Sequence, residues 1–134
     1  MSEERNLEVV RRLAERWNAG DSAGVLELYA DDIVMVTAPE WPDAGAGSFV
    51  GKEALERYTQ EFRSVWDSIG ADLDRLEVAG DLVVAGGGWK SRGLASGVRG
   101  QMPFGIVFTV RDGLISRLEW FMDPDEARRA AGLA

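Results

Sequence analysis

Apolar residues recur at helical spacing through the first part of the chain. Leu7, Val10, Ala14 and Trp17 fall three or four apart, with Glu8, Arg11, Arg12, Glu15 and Arg16 between them, the pattern of a helix with one buried stripe. Ser2 can cap its start, and Gly20 supplies the left-handed residue that ends it. Asp21 then caps a second, short helix carrying Val25, Leu26, Leu28 and Tyr29. After Asp31-Asp32 the run Ile33-Val-Met-Val-Thr37 reads as a largely buried strand. Residues 39–51, rich in Pro and Gly, read as a loop with a short strand at Ser48–Val50. A third helix is predicted from about Lys52 to Ser68, where Leu55, Tyr58, Phe62, Trp66 and Ile69 form one stripe and Gly70 stops it.

From Ala71 the period changes to that of strands. Leu73–Ala79 and Leu82–Arg92 are joined at Gly80-Asp81, a two-residue turn signal. Met102–Arg111 and Leu114–Met122 are joined at Asp112-Gly113, a dipeptide suited to the two positive-φ positions of a type I′ hairpin. Gly86-Gly87-Gly88 in mid-strand predicts a bend or bulge. Asp123-Pro124-Asp125-Glu126 combines a cap, a proline at the first helical position and an acid three residues after the cap, so a short final helix follows. Helices first and antiparallel strands afterwards give the α+β class, in one domain spanning residues 1–134.

Composition narrows the chemistry. The 134 residues hold 15 basic and 23 acidic side chains, a net charge of −8, which opposes nucleic-acid phosphates and anionic membranes. There is no cysteine and no histidine. That excludes disulfides, thiolate or imidazole metal ligands, thiol nucleophiles and an imidazole base. No apolar run approaches the roughly 20 residues that cross a bilayer, and the N-terminus lacks the basic start and apolar run of a signal peptide. The expectation is a cytoplasmic protein with no metal, no cofactor, and neither nucleic acid nor membrane as partner.

Five segments, in order, resemble the SnoaL-like branch of the nuclear-transport-factor-2-like superfamily. They are Trp17-Asn-Ala-Gly-Asp21, Leu28-Tyr-Ala-Asp-Asp32, Gly51-Lys-Glu-Ala-Leu55, Val107-Phe-Thr-Val-Arg-Asp-Gly-Leu-Ile115 and Phe121-Met-Asp-Pro124. The resemblance implies a cone-shaped half-barrel, a strongly curved and mainly antiparallel sheet wrapped around N-terminal helices, with an apolar pocket. It also implies a homodimer through the outer sheet face. Family members include isomerases, dehydratases, epoxide hydrolases and polyketide cyclases as well as proteins that only bind, so the fold leaves function open.

The catalytic sets of that superfamily are missing. Aligned on Asn18-Ala-Gly-Asp21, the ketosteroid isomerase tyrosine falls on Leu13, its base on Thr37 or Ala38, and its protonated aspartate near Ile106. The water-activating set of limonene epoxide hydrolase falls on Gly87, Trp89 and Trp120. Scytalone-dehydratase-like chemistry needs histidine. Gly86-Gly-Gly-Trp-Lys-Ser91 ends like a phosphate loop but has Trp89 where that motif requires glycine.

What the residues offer instead is aromatic surface. By alternation Leu118, Trp120 and Met122 share one face, as do Phe104, Ile106 and Phe108 on the neighbouring strand. These faces are the more apolar and are assigned inward, joined by Trp89, by Tyr58, Phe62 and Trp66 from the third helix, and by Trp17 from the first. Trp41 stands in the loop at the implied pocket mouth. Each of these aromatics is equally a candidate for plain core, but together they suit a small apolar or aromatic molecule. Glu40 and Asp43, flanking Trp41, and Tyr58 are the candidates for a lyase, isomerase or hydrolase working through water. Arg92 reads as a rim residue, and Glu119 as an outward partner of Arg117 or of a second copy. A third reading is a structural dimerisation domain with a filled core.

Overall fold

The computed structural model describes residues 3–36, 48–64, 66–93 and 99–133, with side chains described for these except 61–64, 66–74, 89–93 and 99–103. Helices α1 (Glu3–Asn18) and α2 (Ser22–Glu27) precede strand β1 (Tyr29–Val36). Strand β2 (Ser48–Val50) and helix α3 (Lys52–Ser64) follow. Then come β3 (Trp66–Ala79), β4 (Leu82–Gly93), β5 (Arg99–Arg111), β6 (Leu114–Phe121) and helix α4 (Pro124–Ala130).

One six-stranded sheet in the order β2-β1-β6-β5-β4-β3 collects all the described strands. Its neighbours are antiparallel except β1 and β6, which run parallel with Met35 opposite Leu118. The end strands β2 and β3 do not pair, so the sheet is not closed into a barrel. This is the α+β class that the helix and strand order predicts, in the cone form that the family resemblance implies.

Local signals fix the element ends they control. Gly20 takes φ +74 after α1, and Asp112 and Gly113 both take positive φ (54 and 79) at the β5–β6 turn, as a type I′ hairpin requires. The Asp21 side chain accepts from the Gly24 N–H, and the Asp123 side chain from the Asp125 N–H at 2.9 Å.

Three boundaries differ from the sequence reading. Helix α3 ends at Ser64 rather than Ser68, so Trp66 and Ile69 belong to β3, and Gly70 lies in mid-strand opposite Lys90. The register of β3 on β4 runs from Ala79 opposite Leu82 to Trp66 opposite Gly93. Continuing a helix one residue gains only tenths of a kcal/mol in propensity. Each ladder hydrogen bond contributes roughly 0.5–1.5 kcal/mol net, so pairing with β4 outweighs the apolar stripe. Tyr29 begins β1 instead of ending α2, because Leu28 already caps that helix. Asp31 and Asp32 lie within β1, exposed where its pairing with β6 is irregular, and Asp31 meets Lys52 at 3.5 Å.

The inner face of the sheet carries Ile33, Met35, Val83, Ala85, Phe104, Ile106, Phe108 and Leu118, closed by Val9, Val10 and Leu13 of α1 and Leu55 of α3. A smaller apolar layer lies on the outer face, where Val84 and Val107 pack against Ala127 of α4. Gly86 and Gly105, opposite each other on β4 and β5, let α4 approach. A Cβ on Gly105 would stand 2.7 Å from the Ala127 Cβ, and one on Gly86 would stand 3.1 Å from the Pro124 Cβ. The bulge predicted near the glycine run falls on β3, where the register shifts between Leu73 and Arg75, opposite Gly87 and Gly86. Arg128 of α4 ties down to Glu77 of β3 through Nε–Oε2 at 2.6 Å and Nη2–Oε1 at 3.2 Å. That hydrogen bond, and then the carboxylate's charge, push the guanidinium pKa further above its ordinary value.

Candidate functional site

Between α1 and the inner sheet face lies a cavity of about 60 Å³. Helix α1 supplies Val10, Leu13, Ala14 and Trp17, which its 3.6-residue period stacks on one side. The sheet supplies Phe104, Ile106 and Phe108 from β5, Leu118 and Trp120 from β6, and Tyr29 from the start of β1. The strand residues alternate along each strand and meet across the ladder, with Ile106 opposite Trp120 and Phe108 opposite Leu118. Phe104 and Trp120 pack edge to face, ring centroids 5.5 Å apart at 82°, a favoured aromatic geometry.

No carboxylate, lysine, arginine, serine or threonine is among these ten residues. The polar atoms they bring are the Tyr29 hydroxyl and the indole N–H groups of Trp17 and Trp120. Burial pushes the Tyr29 phenol well above its ordinary value of 10.0, so it stays neutral through the physiological range. A group so far from the working pH is a poor general acid and a poor general base; it can donate one hydrogen bond.

The sequence-predicted residues separate into three groups. Trp17, Phe104, Ile106 and Trp120 converge on the cavity. Tyr58 instead packs on Phe49, centroids 4.5 Å apart, against the edge of the main core. Phe62 lies on α3, Trp66 at the start of β3 and Trp89 on β4 opposite Ala71 and Met102, with side chains outside those described. Trp41, Glu40 and Asp43 fall outside the described residues, as does the pairing of Arg92 beyond its backbone register with Ser68 and Arg99. Glu119 lies on the outer face and accepts from Arg117 Nε at 2.9 Å, one of the two partners expected of it. Tyr29, Val10, Leu13 and Ala14 are lining residues that sequence reasoning did not assign to the site; for Tyr29, its even spacing from Ile33 and Met35 is the signal that would have placed it on the strand.

A second, smaller cavity of about 20 Å³ shares Trp17 and Tyr29 with the first and is otherwise lined by Ser22, Val25, Leu26, Glu56, Thr59 and Gln60. Among the described residues no group of three or more acidic side chains is placed to hold a metal ion, and no helix is long and apolar enough to cross a membrane.

The sequence matches the SnoaL-like domain family over residues 10–118. It belongs to that family. No curated protein sequence matches this SnoaL-like chain, but solved structures do. TerC, crystallised with polyporic acid, superposes with a TM-score of 0.80 at 21% identity over 93% of this chain and 96% of that one. An NTF2-like protein of unknown function from Burkholderia pseudomallei gives 0.81 at 21% identity, covering 96% and 97%. A protein from Mesorhizobium loti, provisionally named a SnoaL-like polyketide cyclase (carbohydrate phosphatase), gives 0.67 at 28% identity, covering 85% and 96%. Two of the positions where the ketosteroid isomerase set would fall, Leu13 and Ile106, line the cavity of this SnoaL-like domain.

Proposed function

We propose that this SnoaL-like domain, one unit across residues 1–134, binds a small apolar or aromatic molecule between α1 and the sheet and performs no acid–base chemistry there. The observation that carries the reading is the lining itself: among the described residues, ten converging side chains with three neutral hydrogen-bond donors and no ionisable group near physiological pH. An apolar cavity of this kind stays dry and gains by filling. A benzene-sized ring occupies an apolar cavity of roughly 150 Å³, so binding must open the site beyond 60 Å³. Trp17 and Trp120, both only partly buried, are the side chains whose movement gives that room.

The test uses naphthalene as probe and intrinsic tryptophan fluorescence as signal, since two of the five tryptophans line the cavity. A saturable change is expected in the wild type and its loss in Ala14→Phe, which fills the cavity from the helix side. A flat titration, or unchanged binding in a folded Ala14→Phe, would sink the reading.

The same proposal makes the protein a cytoplasmic homodimer. What supports pairing through the outer sheet face is its β2-β1-β6 end, where Val34, Val36 and the 66% exposed Val50 lie clear of α4. Sedimentation at micromolar concentration checks it, and a monomer would refute it.

A further inference from the structure

We propose that the two cavities are the two ends of one site, and that its ligand is elongated, with an apolar ring system at one end and a cationic head at the other. This rests on the binding reading above and deepens it. At about 60 and 20 Å³, the two cavities even together stay below the roughly 150 Å³ associated with one benzene ring, so the space that Trp17 gives up must supply the rest. They meet at Trp17 and Tyr29, the two residues that line both. Trp17 sits in the last turn of α1, just before the chain reverses at Gly20 with φ +74, so its indole partitions the two spaces from the end of a helix. Swinging that indole aside joins them into one channel.

The ends differ in chemistry. The first is hydrocarbon and aromatic throughout. The second adds Ser22, Thr59 and Gln60, which offer neutral hydrogen bonds, and Glu56, whose carboxylate is the one charged group lining either cavity among the described residues. An anionic head would face Glu56 and an overall charge of −8; an ammonium head is favoured by both. The neutral Tyr29 hydroxyl at the junction can hydrogen-bond a polar atom between ring and head.

The experiment measures the affinities of naphthalene, naphthylethanol, naphthylethylammonium and naphthylacetate by calorimetry and tryptophan fluorescence on the full chain. The expected order is ammonium tighter than alcohol, and alcohol tighter than carboxylate, with a roughly two- to fivefold gain for the ammonium, the size of an ion pair open to water. Glu56→Gln should abolish that gain, bringing the ammonium level with the alcohol. Asp112→Asn, which removes the same unit of charge at the β5–β6 turn, should keep it. Equal affinities for the three heads, a gain that survives Glu56→Gln, or one lost equally in Asp112→Asn would overturn the two-ended site and leave the apolar-site reading standing. Failure of naphthalene itself to bind would instead remove the apolar-site reading and this one with it.

Discussion

Gly105→Ala tests whether the contact between α4 and the sheet is as close as the geometry requires. The added methyl would stand 2.7 Å from the Ala127 Cβ, 2.9 Å from the Pro124 Cα and 3.1 Å from the Asp123 carbonyl oxygen. Carbon pairs prefer roughly 3.5–4.0 Å, so the shortfall is on the order of 1 Å against the first turn of α4 and its cap. Two of those three atoms are backbone, which no rotamer change can move. Helix α4 must therefore lift from β4 and β5, loosening the layer formed by Val84, Val107 and the fully buried Ala127. Overpacking of this kind costs roughly 1–3 kcal/mol, which at this chain length is a fall in melting temperature of about 3–12 °C. Thermal unfolding followed by circular dichroism measures it. Ala127→Gly removes the nearest of the three contacts, so the double variant should lose less than the sum of the singles, a coupling visible in a double-mutant cycle. A Gly105→Ala variant within about 0.5 kcal/mol of wild type, or strictly additive singles, would refute the claimed close approach.

Two further outcomes follow from buried polar groups. Tyr29 has its phenol pKa raised by burial above 10.0, so the folded state holds the proton more tightly than the unfolded chain. The stability this represents is intact below about pH 10 and is lost as pH rises beyond it, at up to about 1.4 kcal/mol per pH unit. Tyr29→Phe should flatten that alkaline decline relative to wild type, and spectrophotometric titration should find Tyr29 resisting ionisation until unfolding; an identical decline in both proteins would contradict it. Asn6, only 1% exposed, donates to the Gly80 carbonyl at 3.2 Å while its Oδ1 meets no hydrogen-bond donor among the described residues. Asn6→Asp therefore buries an uncompensated charge beside Glu3, which already accepts from the Gly80 N–H at 3.0 Å. It should cost roughly 3–5 kcal/mol at neutral pH, a cost that shrinks as the pH falls and is gone by about pH 4, the ordinary aspartate value; denaturant unfolding at two pH values decides.

Much of this fold is legible where a feature is set by neighbours in sequence. The Asp112-Gly113 turn, the Asp123 cap and the alternation of Phe104, Ile106 and Phe108 against Leu118 and Trp120 each depend on a few adjacent residues, and each stands in the structure as the sequence predicts. The departures have a common cause. Phe62, Trp66 and Ile69 continue a helical stripe, and what draws Trp66 and Ile69 into a strand is a partner, β4, that lies more than twenty residues away in sequence. Tyr29 reads as helical from its neighbours, although its position is fixed by β6, whose Ile115 N–H donates to the Leu28 carbonyl at 2.8 Å. In the sequence, Gly86 reads as backbone freedom. What it and Gly105 provide against α4 is the absence of a side chain, and that need is invisible until two distant segments are brought together.

Helix α1 contributes its four cavity residues from successive turns of a single segment that takes no part in the ladders of the sheet. Val10, Leu13, Ala14 and Trp17 can thus be exchanged for other apolar side chains without disturbing strand register, whereas any change at Phe104, Ile106 or Trp120 alters residues that also hold β5 to β6. The molecule separates a replaceable wall from a fixed one. Selection for new ligands, natural or in the laboratory, has a short stretch of four positions on which to act without breaking a ladder, provided that changes at the buried Val10 and Leu13 keep their volume, and libraries confined to them should yield altered affinities far more often than libraries spread over the sheet.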